Sequence, residues 1–207
     1  MRRLIICGSP RAVGRSSALA WALADAYRAL GDEVEIVSIA SVDIAPCTGC
    51  LVCENNKRTV GRDPLYCVIA DSMIRVRALL NETEALTVIS PVYFSGAPAQ
   101  LKAFFDRLQP YYYAQMFDQK RPVDLFVVGE GGDPHGFGSL VGEARSALAV
   151  AGFRLERVHD WVGLIGVDGR LLDEAGALDG GRIFPASAYL MQTPTGVFPK
   201  TREAAGV

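Results

Sequence analysis

Four of the five cysteines in this chain are close together in sequence: Cys47, Cys50, Cys53 and Cys67. The first three have two residues between neighbours, the spacing that opens a ferredoxin-type iron-sulfur motif. Structural zinc sites usually pair their ligands as two separated C-x-x-C units, so zinc is less favoured. Thirteen residues separate Cys53 from Cys67, an interval that does not exclude a cluster, since each doubling of a flexible loop adds only about 0.6 kcal/mol to closure. The favoured interpretation is that the cysteines pack in the loop or are thiols that oxidise in air. Cluster ligation remains the competing interpretation.

A second group of polar residues follows the first apolar run of the chain. After Gly8, where the backbone can turn, the loop and the helix start supply hydroxyl groups and positive charge from Ser9, Arg11, Arg15, Ser16 and Ser17. The free N–H groups of a following helix would face the same loop. This pattern predicts a phosphate site, with an ordinary capped turn as the alternative. Because the Walker and Gly-x-Gly-x-x-Gly patterns are absent, a terminal monoester phosphate is favoured.

Two later loops are suited to hold a planar ligand. The loop at 90–96 contains Pro91, which stiffens the backbone, and the flat faces of Tyr93 and Phe94. The loop at 129–136 is rich in glycine, and its lone histidine, His135, is expected to be solvated. In a doubly wound sheet, such loops meet where ligands bind. Burial of both aromatic rings in the core or in a dimer contact is the alternative.

The elements that must position these loops alternate between strand and helix. Apolar runs predict strands at 3–8, 34–39, 85–90, 123–129 and 154–164, the last at a sheet edge. Helical periodicity predicts helices ending at Gly31, beginning near Asp71, and covering 99–108 and 138–151. The segment 40–70 is expected to be a long loop. Parallel strands need crossover connections, so the pattern predicts a five-stranded, doubly wound α/β fold with helices on both faces.

Composition narrows the class of protein further. The chain has 207 residues, of which 50% are apolar, enough for the core of one domain. The formal net charge of −2 gives no broad field that would attract nucleic acid or an anionic membrane. No apolar run reaches the length of a signal-peptide core or a membrane span, so a cytoplasmic protein is expected. Residues 1–166 are expected to form the domain, and 167–207 an extended tail that packs on a neighbouring subunit as well as on its own core.

Three motifs in order resemble one known family over about residues 1–162. They are Gly8-Ser9-Pro10-Arg11 with Gly14 and Ser16-Ser17, then the segment 46–53 with its three cysteines, then Ser90-Pro91-Val92-Tyr93-Phe94 leading into 100–107. Together they resemble the NADPH-dependent FMN reductases and the related iron-sulfur flavoproteins, which implies a flavodoxin-like fold and FMN. The tail matches nothing in that pattern.

The resemblance also implies roles for particular residues. It assigns the FMN phosphate to Ser9, Arg11, Ser16 and Ser17. It assigns the isoalloxazine to a surface made by Pro91, Val92, Tyr93, Phe94 and the adjacent Ser95, with Gly129, Glu130, Gly131 and Gly132 opposite. It supports a [4Fe-4S] cluster on the four cysteines, although the family's fourth cysteine follows a shorter gap. A homodimer or homotetramer is implied as well.

The implied activity needs little from the protein beyond binding. Flavin itself carries out hydride and electron transfer, so no catalytic acid or base is expected. We predict an NAD(P)H oxidoreductase that passes electrons through FMN to a quinone, a flavin or a similar acceptor. The alternative is a non-enzymatic electron carrier that serves protein partners. A carrier would be expected to have a strongly acidic docking face, and a net charge of −2 favours the enzyme.

Overall fold

A computed structural model describes residues 1–56, 61, 63–116 and 118–189 of the chain. Within these residues, six strands form one sheet: β1 (Arg2–Cys7), β2 (Glu33–Ser38), β3 (Ala85–Pro91), β4 (Arg121–Val128), β5 (Phe153–Asp160) and β6 (Arg182–Pro185). Their spatial order is β2-β1-β3-β4-β5-β6. The first five strands are parallel, and β6 is antiparallel to β5. The predicted α/β fold with a parallel sheet is therefore confirmed.

Helices connect the strands and cover the sheet. They are α1 (Arg15–Ala29), α2 (Val52–Asn56), α3 (Met73–Glu82), α4 (Ala99–Asp106), α5 (Gln109–Ala114), α6 (Gly138–Val150) and α7 (Gly176–Asp179). None of these described helices combines the length and the apolar character needed to cross a membrane.

The core lies on both faces of the sheet because neighbouring strand residues point in opposite directions. In β1, Leu4 and Ile6 pack in the cluster that contains the buried residues of α3, α4 and α6. Ile5 and Cys7 pack on the opposite face, in the cluster that contains the buried residues of α1. Cys7 is therefore the buried packing residue that its position in an apolar strand predicts, and burial raises the pKa of its thiol.

The predicted sheet of five strands was one strand short. Residues 182–185 pair with β5 from Arg157↔Pro185 to Asp160↔Arg182, so β5 is flanked on both sides and is not the predicted edge strand. The sequence of β6 is only four residues long and ends in proline, which carries no periodicity signal. The first part of the predicted tail thus folds onto its own sheet. The rest of the tail, 190–207, lies outside the described residues.

Two further predictions differ from the structure locally. The predicted loop at 40–70 contains the short helix α2, which carries Cys53. The predicted helix at 99–108 ends at Asp106, and α5 begins at Gln109 with Pro110 in its first turn. Proline is accepted there because the first N–H groups of a helix need no partner within it.

Candidate functional site

The loop after β1 lies tightly against β3. The Gly8 N–H donates to the Ile89 carbonyl oxygen at 2.7 Å. A Cβ atom on Gly8 would lie 2.5 Å from Leu101 Cδ2 and 2.9 Å from the Ile89 oxygen, so glycine is needed for this approach. The next residue, Ser9, is buried, and its Oγ accepts the Arg11 N–H at 3.1 Å. The loop is therefore shaped by its own backbone and by β3.

The start of α1 completes this loop. Ser17 Oγ accepts the Gly14 N–H and donates to the Gly14 carbonyl oxygen, both at 2.9 Å. Ser16 is buried in the first turn, whereas Arg11 is exposed. The structure thus places the predicted hydroxyl groups and the exposed guanidinium of Arg11 near the N-terminus of a 15-residue helix. This arrangement suits an anion such as a phosphate.

Arg15 occupies a different position from the other predicted phosphate residues. Its Nε donates to the Ile165 carbonyl oxygen, and its Nη1 lies 2.8 Å from Glu130 Oε1. The side chain thereby connects the start of α1 to the loops that follow β4 and β5. Its guanidinium is already used for these two contacts.

The loop after β3 projects two aromatic rings at the same edge of the sheet. Tyr93 and Gly96 exchange two backbone hydrogen bonds of 3.0 Å each, and the residues between them, Phe94 and Ser95, have φ values of 49° and 65°. Two consecutive residues with positive φ are typical of a tight type I′ turn, a conformation that bulky residues seldom adopt. Phe94 is fully exposed and Tyr93 is 40% exposed, so neither ring is buried in the core.

The glycine-rich loop after β4 lies beside this turn. Val92 donates its N–H to the Val128 carbonyl oxygen, and Leu140 in α6 donates to the Ser95 carbonyl oxygen. Gly131 and Gly132 have φ values near 90°, a region that glycine adopts without strain. His135 is exposed, as predicted. The loops after β1, β3 and β4 are therefore linked neighbours at the carboxyl edge, where the sheet changes winding direction.

All four clustered cysteines line one cavity of about 170 Å³. Cys47 and Cys50 are exposed, whereas Cys53 and Cys67 are half-buried, and burial raises the pKa of the Cys53 thiol. In the described part of the chain, no three His, Cys, Asp or Glu side chains stand close enough together to hold a metal ion. The four thiols are a suitable donor set for an iron-sulfur cluster, but as placed they share a cavity without converging on a point.

One buried arginine holds both ends of the loop that carries the four clustered cysteines, called the cysteine loop here (residues 45–69). Arg107 Nη1 donates to the Ala45 carbonyl oxygen at 2.8 Å, and Nη2 donates to the Ile69 carbonyl oxygen at 3.2 Å. The same two nitrogens contact the Asp71 carboxylate at 2.6 and 3.0 Å, in a pair that is almost fully buried. Sequence analysis missed this clamp. The available signal was an arginine three residues after the buried Phe104, at the residue that follows α4.

The clamp also fixes the charge state of its carboxylate. Burial acts to raise the pKa of Asp71, but the Arg107 guanidinium and the Ala45 and Met73 N–H groups outweigh it and hold that pKa below its usual value. Asp71 is therefore charged at neutral pH, and the pair remains an ion pair.

The family pattern of the NADPH-dependent FMN reductases matches residues 1–158. The chain belongs to this family. Membership confirms the predicted resemblance and implies FMN as the cofactor. The residues that the pattern covers include the three loops described above and all four clustered cysteines.

Sequence relatives of this family member include archaeal proteins. It is 34% identical over 134 residues to an iron-sulfur flavoprotein of Archaeoglobus fulgidus, a match that covers 65% of this chain and 57% of the relative. It is also 34% identical over 102 residues to an iron-sulfur flavoprotein of Methanosarcina thermophila, covering 49% of each. The chain thus spans about half the length of these curated relatives.

Solved structures share the fold of this family member. The flavoenzyme NAD(P)H:(acceptor) oxidoreductase of Paracoccus denitrificans superposes with a TM-score of 0.55 at 17% identity, covering 84% of this chain and 87% of that one. An NAD(P)H:quinone oxidoreductase from Methanothermobacter marburgensis gives 0.54 at 16% identity, covering 80% and 88%. The predicted flavodoxin-like fold is thereby confirmed.

Proposed function

We propose that this chain is an FMN-dependent NAD(P)H oxidoreductase that passes electrons to a quinone, a flavin or a similar small acceptor. The observation that carries the proposal is the convergence of the loops after β1, β3 and β4 at one edge of the sheet. The loop at 8–17, called the anion loop here, lies at that edge beside the exposed aromatic rings and the glycine-rich loop. A phosphorylated ligand with a flat ring requires these features together. Family membership supports the same cofactor.

The anion loop would hold the FMN phosphate. Ser9 in the loop and Ser16 and Ser17 in the first turn of α1 offer hydroxyl groups. Arg11 is the exposed charge beside them. Arg15 would act indirectly, because its contacts with Glu130 and Ile165 hold neighbouring loops against the start of α1. Its proposed role is therefore positioning.

The other two loops would hold and shield the ring. Pro91, Val92, Tyr93, Phe94 and Ser95 would form one side of the pocket, and Gly129, Glu130, Gly131 and Gly132 the other. FMN supplies the hydride and electron chemistry when it is bound. The protein's part is to orient the ring and exclude water from one side of it. Backbone N–H groups of the tight turns can donate to ring atoms without any acid or base side chain.

Replacing Arg11 and Ser16 together by alanine tests the phosphate assignment. The double variant removes a charge-assisted hydrogen bond and a hydroxyl contact, worth about 2 to 4 kcal/mol together. FMN affinity, measured by fluorescence titration of the apoprotein, should fall by tens to hundreds of fold. Arg28→Ala, an exposed change at the far end of α1, is the control. Unchanged affinity in the double variant would place the phosphate elsewhere.

Rapid mixing with reduced pyridine nucleotide tests the activity itself. NADH or NADPH should bleach the bound flavin without oxygen, and excess quinone should restore its colour. If neither nucleotide reduces the flavin while a reduced protein partner does, the chain is an electron carrier instead.

The cysteine cavity favours a second candidate, a carrier that contains both FMN and an iron-sulfur cluster. The ligands would be Cys47, Cys50, Cys53 and Cys67, and the archaeal relatives are iron-sulfur flavoproteins, which agrees with that chemistry. Iron and acid-labile sulfide should be assayed on protein purified without air. About four of each per chain would establish a [4Fe-4S] cluster. None of either would leave FMN as the redox centre.

We also propose a homodimer or homotetramer. The fully exposed ring of Phe94 at the edge of the cofactor loops is the supporting observation, since large apolar rings at such edges are commonly covered by another surface. Light scattering coupled to gel filtration measures the mass directly, and a mass near 22.3 kDa would contradict the proposal.

A further inference from the structure

A second cavity is lined by the end of the glycine-rich loop, which also contacts the aromatic turn at 93–96. Its volume is about 500 Å³, within the range of small-molecule sites. His135 and the residues that open α6 form one wall, and the first part of β6 with the turn after it forms the opposite wall. The loop that would shield the flavin therefore contributes to both pockets.

Half of this cavity is built by residues outside the family pattern. That pattern ends at residue 158, whereas Asp160, Arg182, Phe184 and Tyr189 all follow it. They reach the cavity because β6 returns antiparallel along β5 and brings Arg182 opposite Asp160. The cavity is thus a property of this chain's own C-terminal segment.

Three aromatic side chains give the cavity a surface for a flat ring. The ring centroids of Phe137 and Tyr189 are 5.6 Å apart, and those of Phe184 and Tyr189 are 6.0 Å apart in an edge-to-face arrangement. Burial raises the pKa of Tyr189 to about 12, so its hydroxyl is a neutral donor at physiological pH. Aromatic walls with a polar tip suit a heteroaromatic base.

One guanidinium gives the cavity a place for a phosphate. Arg182 Nη2 donates to Asp160 Oδ2, and Asp160 Oδ1 accepts the Val162 N–H at 3.0 Å. Both oxygens of this buried carboxylate are therefore occupied. Among the described residues, Asp160 is the one side-chain partner of Arg182, whose side chain is 73% exposed, so most of its five N–H donors are open to a ligand. The other titratable groups on the cavity wall are His135 and Tyr189.

We propose that this cavity binds the adenosine 2′-phosphate end of NADPH, with the base against Tyr189 and Phe184 and the phosphate on Arg182. The inference rests on the proposed function. A dinucleotide has a flat ring at each end, so a nicotinamide placed against the flavin leaves the adenine to bind elsewhere, and this cavity shares the glycine-rich loop with the proposed flavin pocket. The guanidinium favours the nucleotide that carries the additional phosphate. The C-terminal segment therefore sets a preference for NADPH over NADH.

Binding of adenosine 2′,5′-bisphosphate tests this assignment without any turnover. Calorimetry on the FMN-loaded full chain should show that Arg182→Gln weakens binding about tenfold or more, and that Arg182→Lys weakens it less. Arg154→Gln is the matched control, because Arg154 lies at the opposite end of β5 from Asp160 and pairs with Glu156 on the surface. Adenosine 5′-monophosphate should bind the unaltered protein more weakly than the bisphosphate, and Arg182→Gln should abolish that difference.

Removing Arg182 alone leaves the buried Asp160 carboxylate without its cation, which destabilises the fold. A second variant that lacks Arg182 but keeps the fold is therefore needed for comparison. The double variant Asp160→Asn/Arg182→Gln restores a neutral pair, and its unfolding midpoint should match that of the unaltered protein. The bisphosphate should bind this double variant as weakly as it binds Arg182→Gln. Equal affinity of the bisphosphate for the unaltered protein and the double variant would overturn the inference.

Steady-state kinetics separates this inference from the proposed function. In Arg182→Gln, KM for NADPH should rise about tenfold or more while kcat and KM for NADH stay unchanged. If the unaltered protein oxidises NADPH and NADH with equal kcat/KM, the inference is wrong and the proposed function stands. If neither nucleotide reduces the flavin, the proposed function fails, and bisphosphate binding still decides what the cavity holds.

Discussion

The anion loop and the cysteine loop are built in opposite ways, although both lie on the same domain. The anion loop is one short connection between β1 and α1, held by a backbone hydrogen bond to β3 and by the Ser9 and Ser17 hydroxyl groups, which bond backbone atoms of the same loop. The cysteine loop is long, contains one short helix, and has both ends held by the single side chain of Arg107.

This difference determines what each region tolerates. The anion loop is held by several separate hydrogen bonds, so the loss of one hydroxyl leaves the others in place, and its shape is sensitive chiefly to the space around Gly8. A loop held by one buried guanidinium is sensitive to that side chain, because its loss exposes several unsatisfied oxygens at once. The four predictions below test this contrast.

Replacing Arg107 with methionine should have the largest effect. The change leaves the buried Asp71 carboxylate and the Ala45 carbonyl without their donor, which should destabilise the protein by about 3–5 kcal/mol. Urea unfolding at pH 7 measures this loss. Arg75→Met, which breaks an exposed pair with Glu35, is the control and should cost less than about 1 kcal/mol. The neutral double variant Asp71→Asn/Arg107→Met should recover much of the stability. Similar losses in Arg107→Met and Arg75→Met would refute the clamp.

Gly8→Ala should have the next largest effect, and it should act on the anion loop. The new methyl group must displace Leu101 or the Ile89 carbonyl, which should cost about 1–3 kcal/mol and weaken FMN binding as well. Gly142→Ala in α6 is a matched control, since a Cβ there meets nothing within 4 Å and alanine favours helix. Denaturation and FMN titration report the two effects. Normal FMN affinity in Gly8→Ala would show that the close approach to β3 is not needed.

Acid should weaken the sheet before it weakens the cysteine-loop clamp. His159 in β5 is buried against Phe126, and among the described residues neither of its ring nitrogens has a hydrogen-bond partner; burial lowers its pKa to about 4. The unfolded chain binds a proton near pH 6.5, so stability is lost as pH falls from about 6.5 towards 4. Asp71 has a lowered pKa, and the stability it contributes is lost only below its usual range.

Between pH 7 and pH 5.5 the histidine should account for about 1 kcal/mol of lost stability. His159→Phe keeps a ring on Phe126 and should flatten this part of the pH profile, whereas the exposed change His135→Gln should not. The free energy of unfolding at both pH values gives the comparison. An unchanged pH profile in His159→Phe would mean that another group titrates there.

Glu130→Gln should have the smallest effect of the four. Its pair with Arg15 joins the anion loop to the glycine-rich loop, but Glu130 is 76% exposed and such pairs contribute about 0–1 kcal/mol. FMN affinity should change by no more than several fold. A loss of FMN affinity comparable to that of Arg11→Ala/Ser16→Ala would mean that the Arg15–Glu130 pair, and not the hydrogen bonds within the loop, holds the anion loop.

Much of the fold and part of the site could be predicted from residue patterns. Apolar runs located the five parallel strands to within a few residues, except that the predicted last strand continued to residue 164, beyond Asp160, because such runs reflect burial on both faces of a sheet. The three loops at the carboxyl edge followed from the strand order. The cysteines were identifiable from spacing, and the structure does place them on one cavity.

Features that depend on the direction of a long side chain or on tertiary pairing could not be predicted. Arg11 and Arg15 are equivalent as residue types, yet Arg15 turns away towards Ile165 and Glu130. The role of Arg107 depends on Ala45, Ile69 and Asp71, which are distant in sequence. β6 exists because its backbone pairs with β5, an interaction that leaves no pattern in four residues.

The attachment of β6 also has an evolutionary consequence. An added strand at a sheet edge is recognised through backbone groups, so its side chains can diverge without altering the register of the strands already present. In this chain the four pairs from Arg157↔Pro185 to Asp160↔Arg182 join such a strand to the end of the family region. The side chains of this C-terminal strand, and the pocket that they line, can therefore vary without moving the strands that carry the three loops at the carboxyl edge.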